Sequence, residues 1–154
     1  MQITIREPGS AITHFIGMML AVFAAVPLLV KAGVSSGGEH FIAMAIFMAS
    51  MILLYGASAT YHSVNLTGRY LRIFRKLDHM MIFVLIAGSY TPVCLIVLGG
   101  ELGYTLLALV WGIALAGMLV KAFWITCPKW FSSAIYIAMG WVCVLVFGRL
   151  FDTL

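Results

Sequence analysis

Two neighbouring segments of the sequence carry side chains that could bind a metal ion and activate water. Ser58 and His62 lie four residues apart, and Asp78 and His79 follow after a basic stretch. Residues four apart share one face of a helix, so Ser58 and His62 should point the same way. Imidazole and carboxylate groups are common zinc ligands, and bound zinc lowers the pKa of water toward about 7. The set is compatible with hydrolysis of an amide or ester.

A polar cluster that only fastens helices together is the simpler explanation of the spacing alone. No motif here has the specificity of a paired Cys-x-x-Cys or of His-Glu-x-x-His. Ionisable side chains within apolar runs are nevertheless costly, and they default to a functional hypothesis. Both interpretations therefore stay open at this point.

The composition identifies an integral membrane protein. Of the 154 residues, 64% are hydrophobic and 9% are charged, whereas soluble domains carry about 25% charged residues. The lipid bilayer is therefore the expected partner. The net charge of +4 comes mostly from one loop, which indicates membrane orientation and gives no reason to expect nucleic-acid binding. Cys94, Cys127 and Cys143 show no metal-binding spacing and are interpreted as small hydrophobic residues.

The chain is predicted to be one transmembrane domain, residues 1–154, of the all-α class. Helices are the only open-ended elements that satisfy their backbone groups in lipid. Five apolar runs are each long enough to cross a bilayer. They cover residues 11–30, 41–61, 79–98, 103–123 and 131–151.

Basic residues predict which side of the membrane each loop faces. The 63–77 loop has four Lys or Arg residues, and Lys121 and Lys129 flank the 124–130 region. By the positive-inside rule, both loops and the N-terminus should be cytoplasmic in the cell membrane. His62, Asp78 and His79 would then lie at the cytoplasmic membrane level together with Glu7 and His14. His40 should lie on the opposite side.

Small residues predict close contacts between helices, and proline predicts an irregular helix. Gly56, Gly88, Gly112 and Gly117 lie where neighbouring helices could approach. Pro92 should bend the third helix, because it removes a backbone hydrogen bond.

The motifs around the polar residues resemble those of the hemolysin III family, the bacterial branch of the progestin and adipoQ receptor superfamily. The resemblance rests on Glu7 with Thr13-His14-x-Ile16-Gly17, on Ser58-x-x-x-His62-Ser63, on Arg72-Ile73-Phe74-x-x-Leu77-Asp78-His79, and on Ile82-Phe83-x-x-Ile86-Ala87-Gly88-Ser89-Tyr90-Thr91-Pro92. These blocks are more specific than the metal-ligand spacing, and they favour the zinc interpretation.

The resemblance implies a seven-helix bundle with a cytoplasmic N-terminus and a zinc ion (Zn²⁺) held by three histidines. His62 would be the second-helix ligand, Asp78 would hold the metal's water, and Ser58 would be the hydroxyl of the same motif. The other two ligands of the family lie in a His-x-x-x-His motif on the seventh helix, which this sequence does not contain. We therefore expect a fragment with five of seven helices, about two-thirds to three-quarters of a family member.

The leading functional hypothesis is a zinc-dependent hydrolase that acts on a lipid amide or ester and affects membrane homeostasis. Asp78 would orient the attacking water, and Ser58 would donate to the oxyanion. A receptor or membrane-homeostasis sensor with structural zinc is one alternative. Pore-forming cytolysis is another, although the apolar helices show no charged ring or amphipathic stripe that could line a pore.

Overall fold

The computed structural model describes residues 5–35, 37–124, 128–146 and 148. Within these residues the chain is helical apart from its short connections. The elements are α1 (Pro8–Ser35), α2 (Gly38–Ser63), α3 (Gly68–Pro92), a π-helical segment (Val93–Leu98), α4 (Gly100–Phe123), α5 (Lys129–Trp141) and a 3₁₀ segment (Val142–Val146).

Four of the described helices are long and apolar enough to cross a membrane. Their spans are Pro8–Val34, Gly38–Ser63, Gly68–Leu98 and Gly100–Phe123. Many large apolar side chains point outward, such as Phe23 and Phe123, and lipid can solvate them where water would not. The predicted all-α membrane fold is confirmed. The fifth predicted run corresponds to α5 and the 3₁₀ segment, and its predicted end at residue 151 lies outside the described residues.

Consecutive helices pack side by side, so the chain forms a row from α1 to α4 with α5 against α3 and α4. The main buried core lies between α3, α4 and α5. Its largest fully buried side chains are Phe83, Val110 and Met139. Short connections explain this order, because they leave each helix antiparallel to its neighbour in sequence.

Glycines let two pairs of helices approach closely, as the sequence predicts. A Cβ atom on Gly88 would lie 2.6 Å from the Cβ of Ser50 on α2, and one on Gly117 would lie 2.4 Å from Cε1 of Phe83. Gly112 makes no such approach within the described residues, since no atom of another helix lies within 4 Å of a Cβ atom placed there. Gly103 was missed: a Cβ there would lie 2.1 Å from the carbonyl oxygen of Cys94.

One hydroxyl group joins the end of α5 to α3. Tyr90 Oη lies 2.9 Å from the carbonyl oxygens of both Met139 and Gly140, and it accepts a hydrogen bond from the backbone N–H of Cys143 at 2.9 Å. These groups lie where α5 changes to 3₁₀ geometry after Trp141. Because unpaired backbone groups are costly in an apolar environment, Tyr90 stabilises this change of helix type.

The third span also changes helix type, at the proline that the sequence marks. Pro92 is the last residue of α3, and the π-helical segment Val93–Leu98 follows it directly. The segment ends with a hydrogen bond from the N–H of Gly99 to the carbonyl oxygen of Cys94, 3.0 Å long. Pro92 lacks an N–H group, so the α-helical bonding pattern cannot continue unbroken through it.

We predict that Gly88→Ala destabilises the protein because its new Cβ forces α2 and α3 apart. Overpacking of this kind costs about 1–3 kcal/mol. The matched control is Gly112→Ala, which adds a methyl group in open space and should gain up to about 1 kcal/mol of helix propensity. Thermal unfolding of the detergent-solubilised protein measures both changes.

A double-mutant cycle with Ser50→Gly tests the cause. Removal of the opposing Cβ should make Gly88→Ala less costly than it is in the wild-type background. Equal unfolding temperatures for Gly88→Ala and Gly112→Ala would contradict the close contact.

Candidate functional site

The first element of the site is a carboxylate–imidazole pair between the start of α1 and the end of α2. Glu7 Oε2 lies 2.7 Å from Nδ1 of His62, and the backbone N–H of Glu7 donates to the carbonyl oxygen of His62 at 3.0 Å. Because an ionised carboxylate only accepts hydrogen bonds, Nδ1 carries a proton in this pair. In the neutral imidazole, Nε2 then keeps its lone pair for a metal ion or a proton.

Arg6 holds the carboxylate of Glu7 from its other side. The Arg6 guanidinium lies 2.9 Å from Glu7 Oε1 and 4.1 Å from the centre of the Tyr61 ring. The hydrogen bond from His62, helped by the Arg6 guanidinium, lowers the pKa of the Glu7 carboxyl below its ordinary value, although partial desolvation opposes this. Glu7 is therefore ionised when it orients His62.

Helix α1 contributes a second histidine to the same site. The ring of His14 is stacked on that of His62 with centroids 5.6 Å apart, and it lies 6.0 Å from the ring of Tyr55. His14 Nδ1 lies 2.7 Å from the carbonyl oxygen of Ser10 one turn earlier. Gly17 leaves room for Tyr55, since a Cβ atom there would lie 3.0 Å from Cε1 of the ring. The two helices thus meet along a face of polar and aromatic side chains.

Ser58 lies one turn deeper on α2, on the face that carries His62. Its side chain is buried, with 4% exposed. Ser58 and His62 therefore share one face of α2, as predicted. The buried position of Ser58 places it in the protein interior.

Asp78 lies near the start of the third span and belongs to a second polar group. Its Oδ2 is 3.6 Å from Nδ1 of His79, and its side chain is 13% exposed. His79 Nδ1 lies 2.8 Å from the carbonyl oxygen of Arg75, while Tyr136 on α5 donates to the His79 carbonyl oxygen at 3.1 Å. The side chain of Lys121 on α4 is buried.

These side chains lie at one end of the row of helices, as the sequence predicts. The end of α2, the start of α3 and the start of α1 meet there, whereas His40 lies at the start of α2 and so at the other end. Lys76 Nζ joins the same end, where it donates to the carbonyl oxygen of Ala122 at the end of α4. The sequence does not show which helices pack together. The sequence analysis therefore did not place Tyr136 or the buried Lys121 at this end of the bundle.

The described residues do not supply a complete set of zinc ligands. His62 fits one ligand position, because zinc-binding histidines usually hold a carboxylate or carbonyl oxygen on the second ring nitrogen, as Glu7 does here. Zinc takes three or four protein ligands. In the part of the chain that the structure describes, no three His, Cys, Asp or Glu side chains come close enough to hold a metal ion together. His62 and Asp78 alone therefore do not complete the site.

Comparison with known proteins shows the family. A family model described as "Haemolysin-III related" matches residues 2–154. The chain belongs to this family. It is 37% identical to "Hemolysin-3" of Bacillus cereus, covering 97% of this chain and 68% of that protein. It is 38% identical to the "Hemolysin-3 homolog" of Bacillus subtilis, covering 98% of this chain and 71% of the relative.

A more distant relative lies in the superfamily that the sequence motifs indicate. The "Progestin and adipoQ receptor-like protein 1" of Caenorhabditis elegans is 31% identical over 87 residues, which are 56% of this chain and 20% of that protein. No solved structure matches the chain. The resemblance to hemolysin III is confirmed, and with the four apolar spans it shows a multi-pass membrane protein.

We predict that Glu7→Gln loosens the imidazole of His62, because a neutral amide forms a weaker hydrogen bond than a carboxylate. Modification of His62 by diethyl pyrocarbonate should become faster, as measured by mass spectrometry of peptides from the protein in detergent. His40 is the internal control, since it lies at the opposite end of α2 and should react at an unchanged rate. Unchanged reactivity of His62 would show that Glu7 does not orient it.

Proposed function

We propose that this protein is a zinc-dependent membrane hydrolase that cleaves an amide or ester bond of a lipid and thereby affects membrane homeostasis. The observation that carries the proposal is the Glu7–His62 pair, which orients an imidazole and leaves Nε2 available at the end of a transmembrane helix. Such carboxylate–histidine pairs are characteristic of metal centres. The family motifs favour the same assignment.

The proposal gives each predicted site residue a role. His62 would hold the metal, together with ligands from beyond the described residues. Bound zinc supplies a water molecule of lowered pKa and polarises the substrate carbonyl. Asp78, a carboxylate with only 13% of its side chain exposed, would accept a proton from that water. The buried hydroxyl of Ser58 would donate a hydrogen bond to the developing oxyanion.

The position of these residues favours a membrane lipid as the substrate. Ser58 and His62 lie within the span Gly38–Ser63, and Asp78 lies within Gly68–Leu98. Residues within the spans lie at the depth of the bilayer, which favours a substrate that is itself part of the membrane. The basic residues at this end favour a cytoplasmic position, with the N-terminus on the same side of the cell membrane.

We predict about one zinc ion per protein molecule after purification without a metal-affinity tag. Elemental analysis should show that His62→Ala loses this zinc, whereas the control His40→Ala retains it. Glu7→Gln should weaken zinc binding by about 10- to 100-fold, because it removes the partner of a ligand. Zinc that remains in His62→Ala would contradict the assigned ligand.

Catalysis is tested with Asp78→Asn, which should retain zinc but lose release of fatty acid from a ceramide or phospholipid substrate. Zinc binding without release in the wild type would instead favour a sensor with structural zinc. The relatives are named for haemolysis, so dye leakage from liposomes should be measured in parallel. Leakage that chelators do not change, without lipid hydrolysis, would favour a cytolysin.

A further inference from the structure

The first turns of α3 carry a row of basic side chains that the candidate site does not use. Arg69, Arg72 and Arg75 follow one another at intervals of three residues, and all three are exposed. Each step of three residues turns the helix by about 300°, so the three side chains project within about 120° of one another. They therefore share one side of the helix, which we call the arginine face.

Contacts further along α3 show which way the arginine face points. Lys76 Nζ donates to the carbonyl oxygen of Ala122 on α4, and the ring of Phe83 lies 4.6 Å from that of Tyr136 on α5, measured between centroids. At about 100° per residue, Arg72 projects within about 40° of both Lys76 and Phe83. The arginine face thus lies on the side of α3 that packs against α4 and α5.

The arginine face extends past the end of α4. Helix α4 ends at Phe123, one residue after the carbonyl group that Lys76 contacts. Because α3 and α4 run antiparallel, Arg72 lies about 6 Å beyond Lys76 in the direction in which α4 stops. This position explains why Arg72 stays exposed although it projects toward the neighbouring helices.

Exposed aromatic side chains and the length of the third span place this end of α3 in the lipid head-group layer. Trp124, directly after α4, and Trp130, in the first turn of α5, are 51% and 71% exposed, as is usual for tryptophan at a membrane interface. The span Gly68–Leu98 has 31 residues and is about 45 Å long, against about 30 Å for the hydrocarbon core. The part from Asp78 to Leu98 alone suffices to cross that core.

Acidic residues do not neutralise the positive charge at this end. Residues 41–100 contain a single acidic residue, Asp78, and residues 102–151 contain none. Among the described residues, the three arginines form no ion pair. Lys121, buried in the last turn of α4, adds a further positive charge. The carbonyl end of α4 offsets only about half an elementary charge, so the surface has an excess of positive charge.

We propose that the arginine face binds the phosphate groups of anionic phospholipids in the adjoining membrane leaflet. Guanidinium groups pair with phosphate through two parallel hydrogen bonds, and the exposed tryptophans place the face at the depth where lipid phosphates lie. Basic residues next to a membrane span attract anionic lipids by about fivefold in affinity for each Lys or Arg. The bound head groups hold the first turns of α3 at the membrane surface. This interaction is independent of zinc binding and of hydrolysis.

Native mass spectrometry of the purified, delipidated protein in detergent tests the proposal. The probes are dioleoyl phosphatidylglycerol and dioleoyl phosphatidylcholine, which have the same chains and different head-group charge. We expect the anionic lipid to bind about five- to thirtyfold more tightly, as one or two arginines would provide. Arg72→Gln and Arg75→Gln should each lower this preference about fivefold. The matched control Lys31→Gln removes the same charge near the opposite end of α1 and should leave the preference unchanged.

A charge-swapped variant tests whether the face itself is the binding surface. Arg72→Ile combined with Ile73→Arg keeps the net charge and the depth of the arginine but turns it by about 100° around α3. Both positions are exposed, so the unfolding temperature should change little, and the preference should fall as it does in Arg72→Gln. If the swapped protein does not fold, Arg75→Gln alone gives the result.

Three outcomes would overturn the proposal. The first is equal binding of the two lipids to the wild type. The second is a full preference in the charge-swapped variant, because net charge alone would then account for the binding. The third is displacement of phosphatidylglycerol by inorganic phosphate but not by chloride at the same ionic strength, which would identify a site for a small anion.

Discussion

The close contact between α2 and α3 is the constraint on which the arrangement of the site depends. Gly88 and Ser50 meet without space for another carbon atom, and the two helices are joined by the short connection 64–67. In lipid, helices gain little from the hydrophobic effect and associate through this kind of tight packing. The contact fixes the hairpin whose connected end carries His62 and, further along α3, Asp78.

Polar groups cluster at one end of the helices because the interior of a bilayer cannot solvate them. There, Glu7 orients His62 while Arg6 holds Glu7, so these three side chains are paired with one another. Further into the membrane, polar atoms find hydrogen-bond partners within the protein. The hydroxyl group of Tyr90, for example, bonds to backbone groups at the end of α5. The free-energy cost of an unpaired polar group in lipid thus explains both the hydrogen bonds of Tyr90 and the position of the candidate site.

Helix α2 presents two different surfaces. Ser58 and His62 occupy one of them, and the small residues Gly56 and Ala57 form the base of an apolar groove on the other. The second surface approaches α1 closely, since a Cβ atom on Gly56 would lie 3.3 Å from Sδ of Met18.

The sequence by itself determined the helical class, four of the five predicted spans and the position of the polar residues, because length, hydropathy and helical spacing are local properties. The motifs also identified the family. Only the tertiary structure decided that Glu7 pairs with His62, that Gly112 is open while Gly103 is tightly packed, and that Tyr136 on α5 bonds to the backbone of His79 beside Asp78. These features depend on which helices meet and how each is rotated about its axis, and spacing along one helix contains no information about its neighbour.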